Sequence, residues 1–392
     1  MPGTFDQWLR ERTIPRELID RFLDASAAGP SQFDPETGYA PRGFVSPGAM
    51  DGGTASASYG SCGERRGLNG IGERCRINCY GDSFTECAQV SDGETWQEYL
   101  AAHFREPVRN FGVSGHGAYQ ACLRLQAKEA TRAAAENVIF YLWGDDHHRS
   151  LMPWRGFFWR SWLLDPANAG LFGLTPWRHL AFDTGAGEFR ERPNPCPSPF
   201  SLYRLSDEDF VHGQLCGNLM MQLSALAEGI GGVPLAGVRA VAERFAVALD
   251  SRDATGMADA ARRLIDTLAF ASSRWVVDRL LGFCTERRKR LFLLLGSTDA
   301  ELQRYLRTGR KDPEVVALLE HLESRGVSHL DIRDRHREEY TSSRLTPKGY
   351  TDRYYIGHYN PRGNHFFAFA IKDALVAWLD PKPLPYRDRG EP

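Results

Sequence analysis

The chain has 392 residues, 42% of them apolar and 25% charged, with a formal net charge of −2 at pH 7. That length supports one large or two ordinary domains with a substantial core, and the near-neutral charge argues against nucleic acid or any other polyanion held by bulk electrostatics. No window is apolar for long enough to span a bilayer, and the charged, amphipathic N-terminus is not built like a signal peptide, so a cytoplasmic protein with no membrane partner is the default expectation.

Two short helical patterns, at about 5–11 and 15–25, lead into a stretch rich in Gly, Ser and Pro from Ala27 to Gly72. That stretch reads as a long ordered loop or flexible arm rather than a domain, so residues 1–72 are expected to form an N-terminal arm. From Arg76 the pattern changes to strands at 76–80, 107–111, 137–143, 290–295 and 327–332. Helical periodicity fills 94–105, 117–135, 299–308 and 313–325, with a last helix at 365–379. Strands alternating with helices predict an α/β fold with a parallel sheet covered on both faces. The core is then expected over residues 73–150 and 289–392.

Residues 151–288 are too many for a crossover. They open with "PWRGFFWRSWLLDP" and "RPNPCPSPF" and continue with helical periods at about 206–229, 235–249, 254–270 and 273–286. An insertion leaving the third strand at its carboxyl end is expected to act as a helical cap over the crevice where open α/β sheets bind ligands. The basic run "ERRKR" (286–290) reads as the solvated end of a helix, where the dipole favours cations. The 8 cysteines show no paired C-x-x-C framework. Cys75 and Cys79 lie on a predicted strand and its approach, where free buried cysteine is the common state, so no zinc site is expected from them.

Chemistry-bearing residues gather at the predicted strand ends. Gly81-Asp82-Ser83 follows the first strand, Asn110 to Gly115 ("NFGVSG") the second, and Gly144-Asp145-Asp146 the third. "GHYNPRGNH" (357–365) precedes the last helix. A hydroxyl nucleophile needs a base within hydrogen-bond reach and donors aimed at the developing oxyanion. Ser83 opens a helix or turn, so its own N–H can face an anion, and the missing side chain of Gly115 lets a second N–H approach. His358 can take the serine proton and return it to the leaving group. The motif is not the G-x-S-x-G elbow, because Thr85 holds the second glycine position.

In these blocks the chain resembles the SGNH, or GDSL, hydrolases. "GDSFT" looks like the first block with nucleophile Ser83, and "NFGVSGHGAYQ" like the second, whose oxyanion glycine falls on Gly115. "LWGDD" aligns with the third, placing Asp145 on the family's oxyanion asparagine, and "IGHYNPRGN" looks like the fifth, with His358 as base. The resemblance covers roughly 74–150 and 290–380 and implies a flavodoxin-like three-layer α/β/α sandwich and an esterase: acyl-enzyme chemistry on a small-molecule carboxylic ester, a short acyl or O-acetyl ester, with no cofactor and no metal. Two positions depart from it. An ionised Asp145 would repel the oxyanion and could donate only if desolvation or Asp146 raised its pKa. The triad acid that the family places two or three residues before its histidine is replaced by Ile356 and Tyr355. Asp352 is the nearest acid, and a Ser-His dyad oriented by a backbone carbonyl is the alternative.

Around this centre Asp82, Arg149, Trp154 and Phe157 are the candidate substrate contacts, with Trp159 as a further aromatic wall if the cap covers the crevice. His147 and His148 resemble a metal tract, but neighbours on a strand end point in opposite directions, which disfavours a two-histidine ligand set. His365 reads as structural at the start of the last helix. Two other functions use the same site. An acyltransferase would capture the acyl-enzyme with an alcohol or amine. A ligand-binding protein on an impaired scaffold would explain Asp145 and the missing acid, but would not require both Ser83 and His358. The oligomeric state is not legible.

Overall fold

In the computed structural model, which describes residues 3–24, 29–47, 54–156, 175–249 and 254–387, the expected loop before residue 72 contains regular structure. Strands β1 (Ser31–Asp34) and β2 (Gly38–Pro41) form a small sheet, and β3 (Phe44–Pro47) pairs antiparallel with β4 (Thr54–Ala57). The main strands are β5 (Ile77–Tyr80), β6 (Val108–Asn110) and β7 (Asn137–Leu142). A hairpin of β8 (His179–Asp183) and β9 (Glu188–Arg192) follows, then β10 (Arg290–Leu295) and β11 (Ser328–Asp331). Together β11-β10-β7-β5-β6, in that order, make a five-stranded, all-parallel sheet. The protein is therefore a mixed α/β structure.

Burial explains why these runs become strands. Every residue of β5 and β7 is buried, as are the last five of β10, the continuous apolar pattern of strands covered on both faces. The edge strands are short or partly exposed. Alternate residues Ile77 and Cys79, Ile139 and Tyr141, Phe292 and Leu294 share one cluster with Trp96, Leu100, Leu302, Phe367 and Ile371 from three helices. The opposite residues of β5 are polar: Asn78 and Tyr80 both donate to the buried Glu129, which also pairs with Lys289 at 2.7 Å.

The chain divides into two compact units, Met1–Ala40 with His147–Trp275, and Pro41–Asp146 with Val276–Pro392. The arm expected as one segment is thus shared between them, and the sheet belongs wholly to the second. In the first unit the Phe5 N–H bonds to the Gly231 carbonyl and the Trp8 indole to Glu228. Two helical periods expected at 254–270 and 273–286 are one helix, Ala254–Glu286. Among the described residues no helix is long and apolar enough to cross a membrane.

Candidate active site

β5 ends at Tyr80 and the chain turns at once. Asp82 caps the turn Ser83–Glu86, its carboxylate accepting from the Phe84 N–H at 2.9 Å, and Cys87 closes it in a left-handed conformation. Ser83 is the first residue of that turn, so its N–H has no intrahelical acceptor. At the far end of the sequence, Nε2 of His358 lies 2.7 Å from Ser83 Oγ. The Asp82 carboxylate also lies within reach of Oγ, at 3.2 Å. A serine hydroxyl has one proton, and the shorter contact is with the imidazole. Asp82, expected as a substrate contact, is buried and caps the turn that carries Ser83.

The second block passes directly against the first. A methyl group on Gly112 would sit 2.2 Å from the Glu86 nitrogen and 2.6 Å from the Thr85 carbonyl carbon, so no other residue fits there without moving backbone. Asn110 shapes the bend by accepting from the Gly112 N–H at 2.9 Å. Gly115 then adopts φ +84°, a region that suits glycine. Among the described residues no acceptor takes the N–H of Ser83 or of Gly115.

Several residues missed in the sequence hold these two blocks together. Glu86, 3% exposed, accepts from the Ser114 N–H and from the Tyr59 hydroxyl. Burial, with Glu86 alongside, pushes the Tyr59 hydroxyl well above its ordinary value, so it remains a donor. Arg65, 2% exposed, donates to the carbonyls of Glu86 and Cys87 at 2.6 Å, to that of Val90 at 2.5 Å and to Asp92 at 2.9 Å. Its own N–H bonds to the Asn110 carbonyl. Gln89, in the loop so pinned, accepts from the His358 N–H at 3.2 Å. Nothing in the sequence around Arg65 marks it, since "GERRGLNG" reads as a polar loop. Phe84, adjacent to Ser83, stacks on Trp143 at 4.2 Å and lies tilted against the His358 ring at 4.9 Å.

The remaining candidates distribute differently. Asp145 is half-buried in the turn after β7, and Asp146 is buried with its carboxylate accepting from the Trp143 N–H. Asp352 does not reach His358: it lies on the helix Pro347–Tyr354, 58% exposed, with both oxygens on Lys348. His147 and His148 stand on a helical turn, Asp146–Arg149, not on a strand end. His147 stacks on Phe270 and meets Ser273 Oγ at 2.7 Å, while His148 meets Asp266. Arg149 and Trp154 are buried in the unit that holds those partners. Phe157 and Trp159 lie outside the described residues. Among the described residues no group of three or more His, Cys, Asp or Glu is placed to hold a metal.

Comparison with protein-family models and with curated proteins gives no match for this chain.

Proposed function

We propose that the protein is a serine hydrolase of the SGNH type that cleaves a small-molecule carboxylic ester. The observation that carries the reading is the 2.7 Å contact between Ser83 Oγ and His358 Nε2, made by residues at the carboxyl end of one strand and ahead of the last helix. The sheet order supports it. Numbered along the chain, the five parallel strands run 2-1-3-4-5, the flavodoxin-like order, and Ser83 follows the strand beside the point where that order reverses.

In this mechanism Ser83 Oγ attacks the ester carbonyl as its proton passes to His358. The N–H groups of Ser83 and Gly115 receive the oxyanion, and His358 then protonates the departing alcohol. Water, deprotonated by the same imidazole, releases the acid and restores Ser83. No step calls on a metal or an organic cofactor. Asp145 stands where the family has a neutral amide donor, so two backbone donors do the work of three. Loss of one such donor costs about 2.7–4 kcal/mol, which makes slow turnover the expectation.

Intact-mass analysis after treatment with a fluorophosphonate, beside hydrolysis of an aryl acetate, tests the reading. A single adduct and measurable turnover are expected in the wild type, both lost in Ser83→Ala. A wild type that neither labels nor turns over would instead favour a binding protein on this scaffold.

A further inference from the structure

The loop that carries His358 closes over a buried polar network whose protons can be assigned. Tyr355 and Tyr359, at its two ends, meet in an isolated bridge with their hydroxyls 3.1 Å apart. His336, from the helix Ile332–Ser342, is fully buried. Its Nε2 lies 3.0 Å from the Tyr359 hydroxyl and its Nδ1 3.1 Å from that of Tyr350. Tyr350 and Tyr354 in turn donate to the two oxygens of Glu339, at 2.8 and 2.5 Å.

Tyr350 thus gives its single proton to Glu339. The Tyr350 oxygen must then accept, which requires a proton on Nδ1 of His336. Burial holds this imidazole at about 3, far below its ordinary value, so the ring is neutral at pH 7 and Nε2 accepts. Tyr359 therefore donates to His336, and Tyr355 donates to Tyr359. All four bonds run one way, from Tyr355 through Tyr359, His336 and Tyr350 to Glu339.

At the tip Ile356 and Gly357 are exposed, the Ile356 N–H bonds to the His358 carbonyl, the Asn360 N–H to the Tyr354 carbonyl, and the His358 N–H donates to Gln89. The rings of Tyr355 and Tyr359 also pack on Phe84, beside the nucleophile, at 6.2 and 5.2 Å. We propose that His336, with Tyr355 and Tyr359, forms the positioning network of His358, fixing both ends of its loop so that the base meets Ser83. The proposal rests on the reading of Ser83 and His358 as nucleophile and base.

Nitrogen-15 NMR of histidine-labelled protein reads the tautomer directly. His336 is expected as the neutral Nδ1–H form between about pH 8 and pH 5, and an Nε2–H tautomer or a charged ring there overturns the assignment. Tyr359→Phe keeps the ring and removes both hydroxyl bonds. In it, kcat for an aryl acetate and the phosphonylation rate should fall about tenfold or more with KM within about twofold, since an ångström of misplacement can cost a hundredfold. The His358 ring resonances should broaden or split. Unchanged His358 resonances in folded Tyr359→Phe overturn the proposal whether or not the protein turns over esters, whereas a wild type that fails to label refutes the hydrolase reading alone. If Tyr359→Phe does not fold, Tyr350→Phe at the far end of the network serves for the same comparison.

Discussion

Arg65→Ala isolates the role of the arm. Arg65 is 2% exposed, and its guanidinium serves four carbonyls and the Asp92 carboxylate, whose side chain is 14% exposed. Truncation would leave those acceptors buried with nothing to replace the cation. Breaking a buried pair of this kind costs about 3–5 kcal/mol. Asp92 keeps its bonds to the Ser58 N–H and hydroxyl, which places the expectation toward the lower end. At roughly 2–4 °C per kcal/mol for a domain of this size, Tm should fall by about 6–20 °C. Because Arg65 pins the segment that carries Gln89, and Gln89 accepts from the His358 N–H, turnover measured well below Tm should fall as well. Calorimetry and aryl acetate hydrolysis on Arg65→Ala and Arg65→Lys provide the assay, with the lysine variant expected to lie between, since one ammonium cannot reach every acceptor. A Tm for Arg65→Ala within about 2 °C of wild type would refute the reasoning.

Gly112→Ala should destabilise the protein by at least about 1–3 kcal/mol and depress labelling of Ser83, because the new methyl meets backbone rather than a mobile side chain. Denaturant unfolding beside phosphonylation kinetics checks both effects. Asp352→Asn should leave ester turnover within about twofold, since an exposed i,i+4 pair with Lys348 is worth a few tenths of a kcal/mol and touches no reacting group. A large loss of kcat there would restore Asp352 as the triad acid. Burial lowers His336 to about 3, while the unfolded chain titrates near 6.5, so the unfolded state takes up the proton first as pH falls. The stability is fully present above about pH 6.5 and is lost progressively toward pH 3, by about 2 kcal/mol at pH 5. Urea unfolding at both ends of that range should show the slope in wild type and not in His336→Phe; equal slopes would contradict it.

The sheet was legible because its strands are continuous apolar runs. The expectation at 290–295 coincides with β10, and 137–143 differs from β7 by one residue. The strands of the arm escaped notice because each is four residues long and built from Gly, Ser, Ala, Pro and Thr with few large side chains, so no period of two stands out. The helix Ile332–Ser342 was missed for a related reason: "IRDRHREEYTS" is almost wholly polar, and of its buried residues Ile332, Arg333 and His336 only the first is an aliphatic core residue. Gly-Asp-Ser and the late histidine could be paired from their places in the chain. Tyr59, Arg65 and Glu86 could not, because each is significant only through a partner that folding brings to it.

Ser83 and His358 stand 275 residues apart in sequence, and the adjacent strands β7 and β10 are joined only across the whole intervening unit. At ribosomal rates of roughly 5–20 residues per second, about 14–55 s separate synthesis of the serine from synthesis of its base. Until residue 358 is made Ser83 has no His358 beside it, and until residues 290–295 are made β7 has no neighbour on its β10 side. The nascent chain therefore carries an inert serine and an open sheet edge, a template that a chaperone or a second nascent chain can pair with until the late strands arrive. The open edge of β7 is thus covered first, by residues 290–295, and the Ser83–His358 contact is completed later, by residue 358.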